Sequence, residues 1–353
     1  MLSNQRAQRP STLCIAAGKS GGHLIPALQL AQQWHNEHQG GNVVLCTYGT
    51  MLDQKIYARY PFINKVQSFS FTTFIARKLW RYPIIAMQAI KATWIAWRLL
   101  RTTQAEKVIT TGGFVALPVS IAARLLGIPV EVYELNIHPG KAVQALAMLG
   151  AKIFAVFNET LKKMPHAVLT DYPIRFTQAD IKSPSVARLE LAQRIPSAIP
   201  LTDNRKTVFL CGGSQGSTYL NELMIKFVIA RPDLHNSMQI IHQSGTVPDR
   251  FIEVYTKYII PHLVFDFHPA IAACYQAADV VICRAGAGTL FELKFFNRPA
   301  VIIPLVAAST GHQGANARAI SAQMPELFTT MAQHMLETNL EAFFDLVAKY
   351  LRT

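Results

Sequence analysis

Two glycine-rich turns, each set where a strand should meet a helix, constrain this chain more than any other feature. The first, GKSGGHLIPA at residues 18–27, follows the apolar run TLCIAA. The second, GGSQGSTYLN at residues 212–221, follows TVFLC. A strand–glycine–helix junction leaves backbone N–H groups uncovered at a helix start, where they bind phosphate. Two such junctions, about two hundred residues apart, imply two nucleotide-fold halves serving one ligand. The first turn also carries His23. A histidine beside a phosphate cradle is a candidate proton acceptor, with a loop-carbonyl tie as its structural alternative.

The rest of the chain alternates in the same way. Strands are expected at 12–17, 42–48, 65–71, 107–111, 129–134 and 152–157, then at 207–211, 238–242, 263–267, 280–283 and 300–304. Their near-continuous apolar character suits parallel strands covered on both faces. Helical patterns fill the gaps. A proline-bearing stretch from about 171 to 206 has no regular pattern and reads as the hinge. The 353 residues are comfortable for two domains, and the half that are hydrophobic can fill two cores. The net charge of +13 favours anionic partners: phosphorylated ligands, an anionic membrane or nucleic acid. No nucleic-acid motif accompanies that charge, so nucleic acid is not expected as a partner. The five cysteines lack metal-ligand spacing and read as buried free thiols. The polar start shows no signal core, and no apolar stretch is long enough to span a bilayer.

Six blocks in chain order then carry a resemblance: GKSGGHLIPA; TGGFVALPVSIAARLLGIPVEVYELNIHPG; DYPIR; GGSQGSTYLN; AADVVICRAGAGTLFEL; HQGANA. They resemble the MurG family, which adds N-acetylglucosamine to the lipid-linked peptidoglycan precursor. The resemblance covers most of residues 12–320. It implies an α/β GT-B fold: two Rossmann-like domains with parallel sheets facing across a cleft. The first domain, 1–172, would take the acceptor and the membrane, the second, 173–330, the UDP-sugar, and a terminal helix near 331–353 would close back on the first. The implied reaction is inverting transfer from UDP-N-acetylglucosamine to the 4-hydroxyl of the muramoyl sugar of lipid I, giving lipid II. No cofactor and no metal are expected, since no paired-carboxylate motif is present.

By the same resemblance, His23 and Glu134 are the catalytic candidates, with Ser20, Gly21, Gly22, Gly113 and Asn136 on the acceptor and diphosphate side. Glu134 reads equally well as a surface charge. The donor would meet Arg175, Ser214, Gln215, Gly216, His268, Ala287, Gly288, Thr289, Glu292, Gln313 and Asn316. Among these, Glu292 would accept from the ribose hydroxyls, one helical turn beyond a phosphate-binding helix start, or would merely support that helix's dipole. Arg284 reads as one half of an ion pair within the second domain.

Membrane contact is expected from Phe74, Ile75, Leu79 and Trp80, which intermix with Arg77, Lys78 and Arg81 and no acid. The following helix, to Arg101, reads as an ordinary amphipathic helix with a solvated basic face. The expected place is the cytoplasmic side of the cell membrane, as a peripheral protein. Departures from the family pattern are Lys19 in the first turn, Phe114 in place of a tyrosine, Asp171 and Tyr172 before Pro173, and His268 beside the expected uracil. Alternatives are another GT-B lipid glycosyltransferase, a UDP-N-acetylglucosamine epimerase, or a non-catalytic nucleotide-sugar-binding protein.

Overall fold

The structure, a computed structural model, describes residues 10–18, 20–71, 82–195, 197, 199–213, 216–245, 248–266, 270–305 and 311–352. Two compact units divide the chain, Met1–Arg175 and Phe176–Thr353.

The first unit holds strands β1 (Thr12–Ala16), β2 (Asn42–Thr47), β3 (Ile63–Ser68), β4 (Lys107–Thr110), β5 (Val130–Glu134), β6 (Lys152–Ala155) and β7 (Val168–Leu169). Its helices are α1 (Gly21–Glu37), α2 (Met51–Tyr57), α3 (Tyr82–Thr103), α4 (Ala116–Leu125) and α5 (Lys141–Met148). The strands form one parallel sheet in the order β3-β2-β1-β4-β5-β6-β7. The chain direction across the sheet reverses between β1 and β4, which makes their C-terminal ends the ligand-binding crevice of such a fold. The apolar runs are explained by burial on both faces. Leu13, Ile15, Val43 and Leu45 pack with α1, while Cys14, Ala16, Val44 and Cys46 pack with α3 and α4.

The second unit repeats the plan. It opens with α6 (Pro184–Arg194), then β8 (Lys206–Cys211), α7 (Thr218–Ala230), β9 (Met238–Gln243), α8 (Pro248–Lys257), β10 (His262–Phe265) and α9 (Ile271–Ala277). There follow β11 (Val280–Cys283), α10 (Ala287–Phe295), β12 (Ala300–Ile302), α11 (His312–Gln323), β13 (Phe328–Thr330), α12 (Gln333–Thr338) and α13 (Leu340–Arg352). The parallel order is β10-β9-β8-β11-β12-β13, with the reversal between β8 and β11.

Three expectations are corrected. The stretch read as an irregular hinge contains α6, started by Pro184 in its first turn and capped by Ser183, whose Oγ accepts from Val186 N. The terminal helix belongs to the second unit's own core, which Phe343, Phe344, Val347 and Leu351 of α13 join. There both phenylalanines meet Phe227 of α7, at 6.3 and 5.8 Å between ring centres. The division falls after Arg175, so that residue belongs to the first unit. All five cysteines are buried and free. Among the described residues, no helix is long and apolar enough to cross a membrane.

Candidate functional site

In the first unit the glycine turn is built on a crowded floor. Gly18 has φ +145°, and a Cβ there would overlap Thr47 Oγ1. Only glycine fits, so the turn needs that residue for geometry before any ligand is considered. Helix α1 then starts behind Ser20, whose side chain caps none of its amides. The first N–H groups are thus left without a capping side chain, as an anion site requires. Gly21 is buried and Gly22 exposed.

Two threonines at the end of β4 tie this helix start to the sheet. Thr110 Oγ1 donates to Ala16 O and accepts from Gly112 N at 3.1 Å. Thr111 Oγ1 donates to His23 O at 2.9 Å, while Thr111 O lies 3.0 Å from His23 Nδ1. A carbonyl oxygen only accepts, so Nδ1 carries the hydrogen and donates. In the neutral ring that leaves the lone pair on Nε2. Burial holds the His23 pKa below its ordinary value, against the opposing pull of the Thr111 bond, so the ring is neutral at pH 7. The carbonyl tie of His23 thus occupies Nδ1 and leaves Nε2 available as an acceptor.

Beyond β4, Gly112 and Gly113 take left-handed φ of +90° and +87°. A Cβ on Gly113 would meet nothing within 4 Å. Glu134, at the end of β5, is 3% exposed, which excludes the surface-charge reading. One carboxylate oxygen accepts from Asn136 N at 2.9 Å and Asn136 Nδ2 at 3.3 Å, the other from Gly140 N at 2.8 Å. Burial raises its pKa, and those donors partly offset the rise. Glu134 thus holds the 134–140 loop in place, with Asn136 as one of the residues it grips.

The second unit's turn is tighter. A Cβ on Gly212 would stand 2.7 Å from Ser217 N, and one on Gly216, at φ +73°, would stand 2.6 Å from Ser244 O. Ser217 caps α7, its Oγ accepting from Leu220 N at 3.4 Å and from Arg284 Nε at 3.1 Å. Arg284 also donates to Ile303 O, Pro304 O and Gln333 Oε1 and lies 5.3 Å above the Tyr219 ring. Its described partners include no carboxylate, which corrects the ion-pair reading.

Behind the turn lies a buried chain of hydrogen bonds that the sequence reading missed. Asn221 Nδ2 donates to Ser244 O at 2.8 Å, so Asn221 Oδ1, 2.9 Å from His242 Nε2, accepts from it. His242 Nδ1 then accepts from Tyr255 O–H at 2.8 Å. Burial pushes the His242 pKa down to about 3, and the network is fully satisfied with a neutral ring. It ties β9, α8 and the start of α7 together under the glycine turn.

Helix α10 starts at Gly286, where a Cβ would meet nothing within 4 Å and no side chain caps the amides. Ala287, Gly288 and Thr289 form its first turn, and Glu292, 7% exposed, lies one turn on. On α11, Gln313 Oε1 accepts from Leu305 N at 3.0 Å, and Asn316 is fully buried. Arg175 stands near Arg59, whose pKa is lowered first by partial burial and then by the Arg175 charge. Lys19, Ser214, Gln215 and His268, and all four expected membrane residues Phe74, Ile75, Leu79 and Trp80, lie outside the described residues. Among the described residues, no cluster of three or more His, Cys, Asp or Glu could hold a metal.

The helix read as ordinary shows an apolar outer face. On α3, Ile84, Met87, Ile90 and Trp94 are 40%, 67%, 70% and 57% exposed, flanked by exposed Lys91 and Arg98. Their i, i+3, i+4 spacing was legible, but the core-facing stripe Ala92, Ala96, Leu99 is built of smaller residues and masks which face is which.

The glycosyltransferase family 28 N-terminal domain matches residues 13–155, and the family's C-terminal domain matches 207–343. A protein of Trichodesmium erythraeum (strain IMS101) is 30% identical over 91% of this chain and 80% of its own length. One of Synechococcus sp. (strain JA-2-3B'a(2-13)) is 32% identical over 89% of this chain and 80% of its own. Both are named UDP-N-acetylglucosamine–N-acetylmuramyl-(pentapeptide) pyrophosphoryl-undecaprenol N-acetylglucosamine transferase. The crystal structure of Acinetobacter baumannii MurG matches with a TM-score of 0.69 and 24% identity, over 96% of this chain and 90% of that one. At that identity the likeness carries the fold alone: two Rossmann-like domains of GT-B type.

Proposed function

The chain belongs to glycosyltransferase family 28, and we infer that it transfers N-acetylglucosamine from UDP-N-acetylglucosamine to lipid I in peptidoglycan synthesis. The acceptor side lies on the first unit. The observation that carries this is His23: its Nδ1–H is spent on Thr111 O, its ring is neutral, and Nε2 offers a lone pair at the head of an uncapped helix. In the reaction the acceptor 4-hydroxyl gives its proton to Nε2 as its oxygen bonds to the sugar's anomeric carbon. The bond from that carbon to the UDP oxygen breaks on the opposite face, inverting the centre. Glu134 is the positioning group for the 134–140 loop rather than a second base, because both its oxygens are engaged by that loop.

The donor side lies on the second unit. Departing UDP gathers negative charge on its diphosphate, which preorganised N–H groups stabilise. The first turn of α10 at Ala287, Gly288 and Thr289 offers such groups, the open space at Gly286 lets phosphate approach the backbone, and the turn at Gly216 joins them by resemblance. Ser214, Gln215 and His268 join this side by resemblance. Glu292 accepts from the ribose hydroxyls, and Gln313 and Asn316 serve the sugar. By resemblance, Arg175 adds positive charge for phosphate.

The acceptor's lipid requires the enzyme to work at a membrane surface, on the cytoplasmic side where UDP-sugars are held. The exposed Met87, Ile90 and Trp94 of α3, with Lys91 and Arg98, support peripheral attachment there, continuing the segment that carries Phe74 to Trp80. The deciding assay is UDP release from UDP-N-acetylglucosamine by the purified protein with and without lipid I. Release only with lipid I supports the transferase. A change of the sugar without acceptor would establish an epimerase instead, and no turnover with bound UDP would leave a binding protein.

A further inference from the structure

We propose that Tyr48 is an acceptor-binding residue, its phenolic O–H donating to an oxygen of the lipid-linked acceptor beside the paired glycines Gly112 and Gly113. The inference rests on the acceptor side lying on the first unit.

Tyr48 is the first residue after β2, at the C-terminal rim of the sheet. Its oxygen accepts from Phe114 N at 3.1 Å, and the neighbouring N–H of Val115 also points to it. A phenol oxygen has two acceptor sites and one hydrogen to give. Two backbone amides fill the first role, so only the O–H remains to be used. Among the described residues no acceptor meets that hydrogen. Two N–H groups donating into the oxygen also polarise the O–H and strengthen it as a donor.

The oxygen is fixed from several sides. The Tyr48 ring meets Phe71 edge-on at 5.9 Å, Phe71 meets Phe114 edge-on at 5.1 Å, and Phe69 stacks on Phe71 at 6.2 Å. Burial raises the Tyr48 pKa above its ordinary value, outweighing the two amides, so the group stays a protonated donor at neutral pH. Room for a ligand lies next to it, since Gly113 faces open space. The chemistry around it matches. Thr111, which orients His23, is three residues before Phe114, so the spare donor and the proton acceptor are mounted on one turn. Phe114 supplies no hydroxyl of its own there.

The test is steady-state kinetics of Tyr48→Phe with lipid I varied, alongside calorimetry with UDP. One lost hydrogen bond predicts a KM for lipid I raised roughly three- to tenfold, with the UDP dissociation constant within about twofold of the parent. If the hydroxyl only caps the Phe114 and Val115 amides, the variant instead loses thermal stability while KM for lipid I stays put. The double variant Tyr48→Phe, Phe114→Tyr separates the two further. It returns a hydroxyl to the rim without restoring the cap, and is expected to recover most of the lost acceptor affinity. A parental KM in Tyr48→Phe, or a raised KM that the double variant leaves untouched, overturns the proposal alone. A parent enzyme that releases no UDP with lipid I overturns the acceptor reading and this inference with it.

Discussion

Gly216→Ala should damage the second unit far more than Gly213→Ala, three residues away in the same turn. Both glycines hold left-handed φ, +73° and +81°, so alanine pays the same backbone penalty of about 1–2 kcal/mol at each. They differ in space. A Cβ on Gly213 meets nothing within 4 Å, whereas one on Gly216 would stand 2.6 Å from Ser244 O and 2.9 Å from Gly245 Cα. Ser244 O cannot simply retreat, because it accepts from buried Asn221 Nδ2 at 2.8 Å and Ser244 N is bound to Phe265 O at 2.9 Å. Forcing a methyl into a fixed wall costs about 1–3 kcal/mol more. The totals are about 1–2 kcal/mol for Gly213→Ala and about 2–5 kcal/mol for Gly216→Ala. Hydrogen exchange of the β8 and β9 amides reads this locally. All four tryptophans lie before residue 98, so tryptophan fluorescence follows the first unit and should be unchanged by either variant. UDP affinity should fall with Gly216→Ala as the turn is displaced. Equal protection in the two variants would mean that Ser244 is not a fixed wall, and the reasoning would fail.

His23→Ala should lower turnover by about 10²–10⁴-fold with UDP affinity retained, and the parent's kcat/KM should rise with pH through a midpoint below about 6.5, because burial depresses the pKa of the ring that must be neutral. A midpoint above that value in the parent would assign the limb to another group. His242 is about 3 when folded and about 6.5 when unfolded, so as pH falls the unfolded chain takes the proton first. Its contribution is intact above about pH 6.5 and is lost toward about pH 3, at up to about 1.4 kcal/mol per pH unit; urea midpoints of His242→Gln should therefore depend less on pH from 6 to 4 than the parent's, and identical slopes would refute the assignment. Met87→Ser with Trp94→Ser should abolish cosedimentation with anionic vesicles while leaving UDP binding intact, and vesicle binding at the parental level would place the membrane contact off α3.

The parts of the architecture that were legible from residues alone are those with long apolar runs and punctuating glycines. Strands such as TLCIA and KTVFLC are buried on both faces, so their composition betrays them. Strands β7 and β13, two and three residues long, are too short to show any period and were missed. The start of α6 was signalled by Ser183 and Pro184, but in a proline-bearing stretch those residues read equally well as linker. For α13 the apolar face was legible and its partner was not: a stripe of phenylalanines specifies that something must cover it, while the identity of the cover depends on α7, more than a hundred residues away. The same limit governs the site. His23 stood out by its motif, yet its tautomer comes from Thr111, and the Tyr48 hydroxyl is brought to Phe114 only by the pairing of β1 between β2 and β4.

The packing of α13 on α7 bears on how the molecule is made. Each unit is one unbroken stretch of chain, and the packing of α13 on α7 lies within the second. The last strand of the first sheet, β7, is synthesised before the first strand of the second, β8. The first unit can therefore complete its sheet on the ribosome before the second has been made, since domains fold as units and the N-terminal one leads. The segment beginning at Phe176 can accordingly be produced as a separate polypeptide with its whole hydrophobic interior, a direct way to study nucleotide capture in isolation from the lipid substrate.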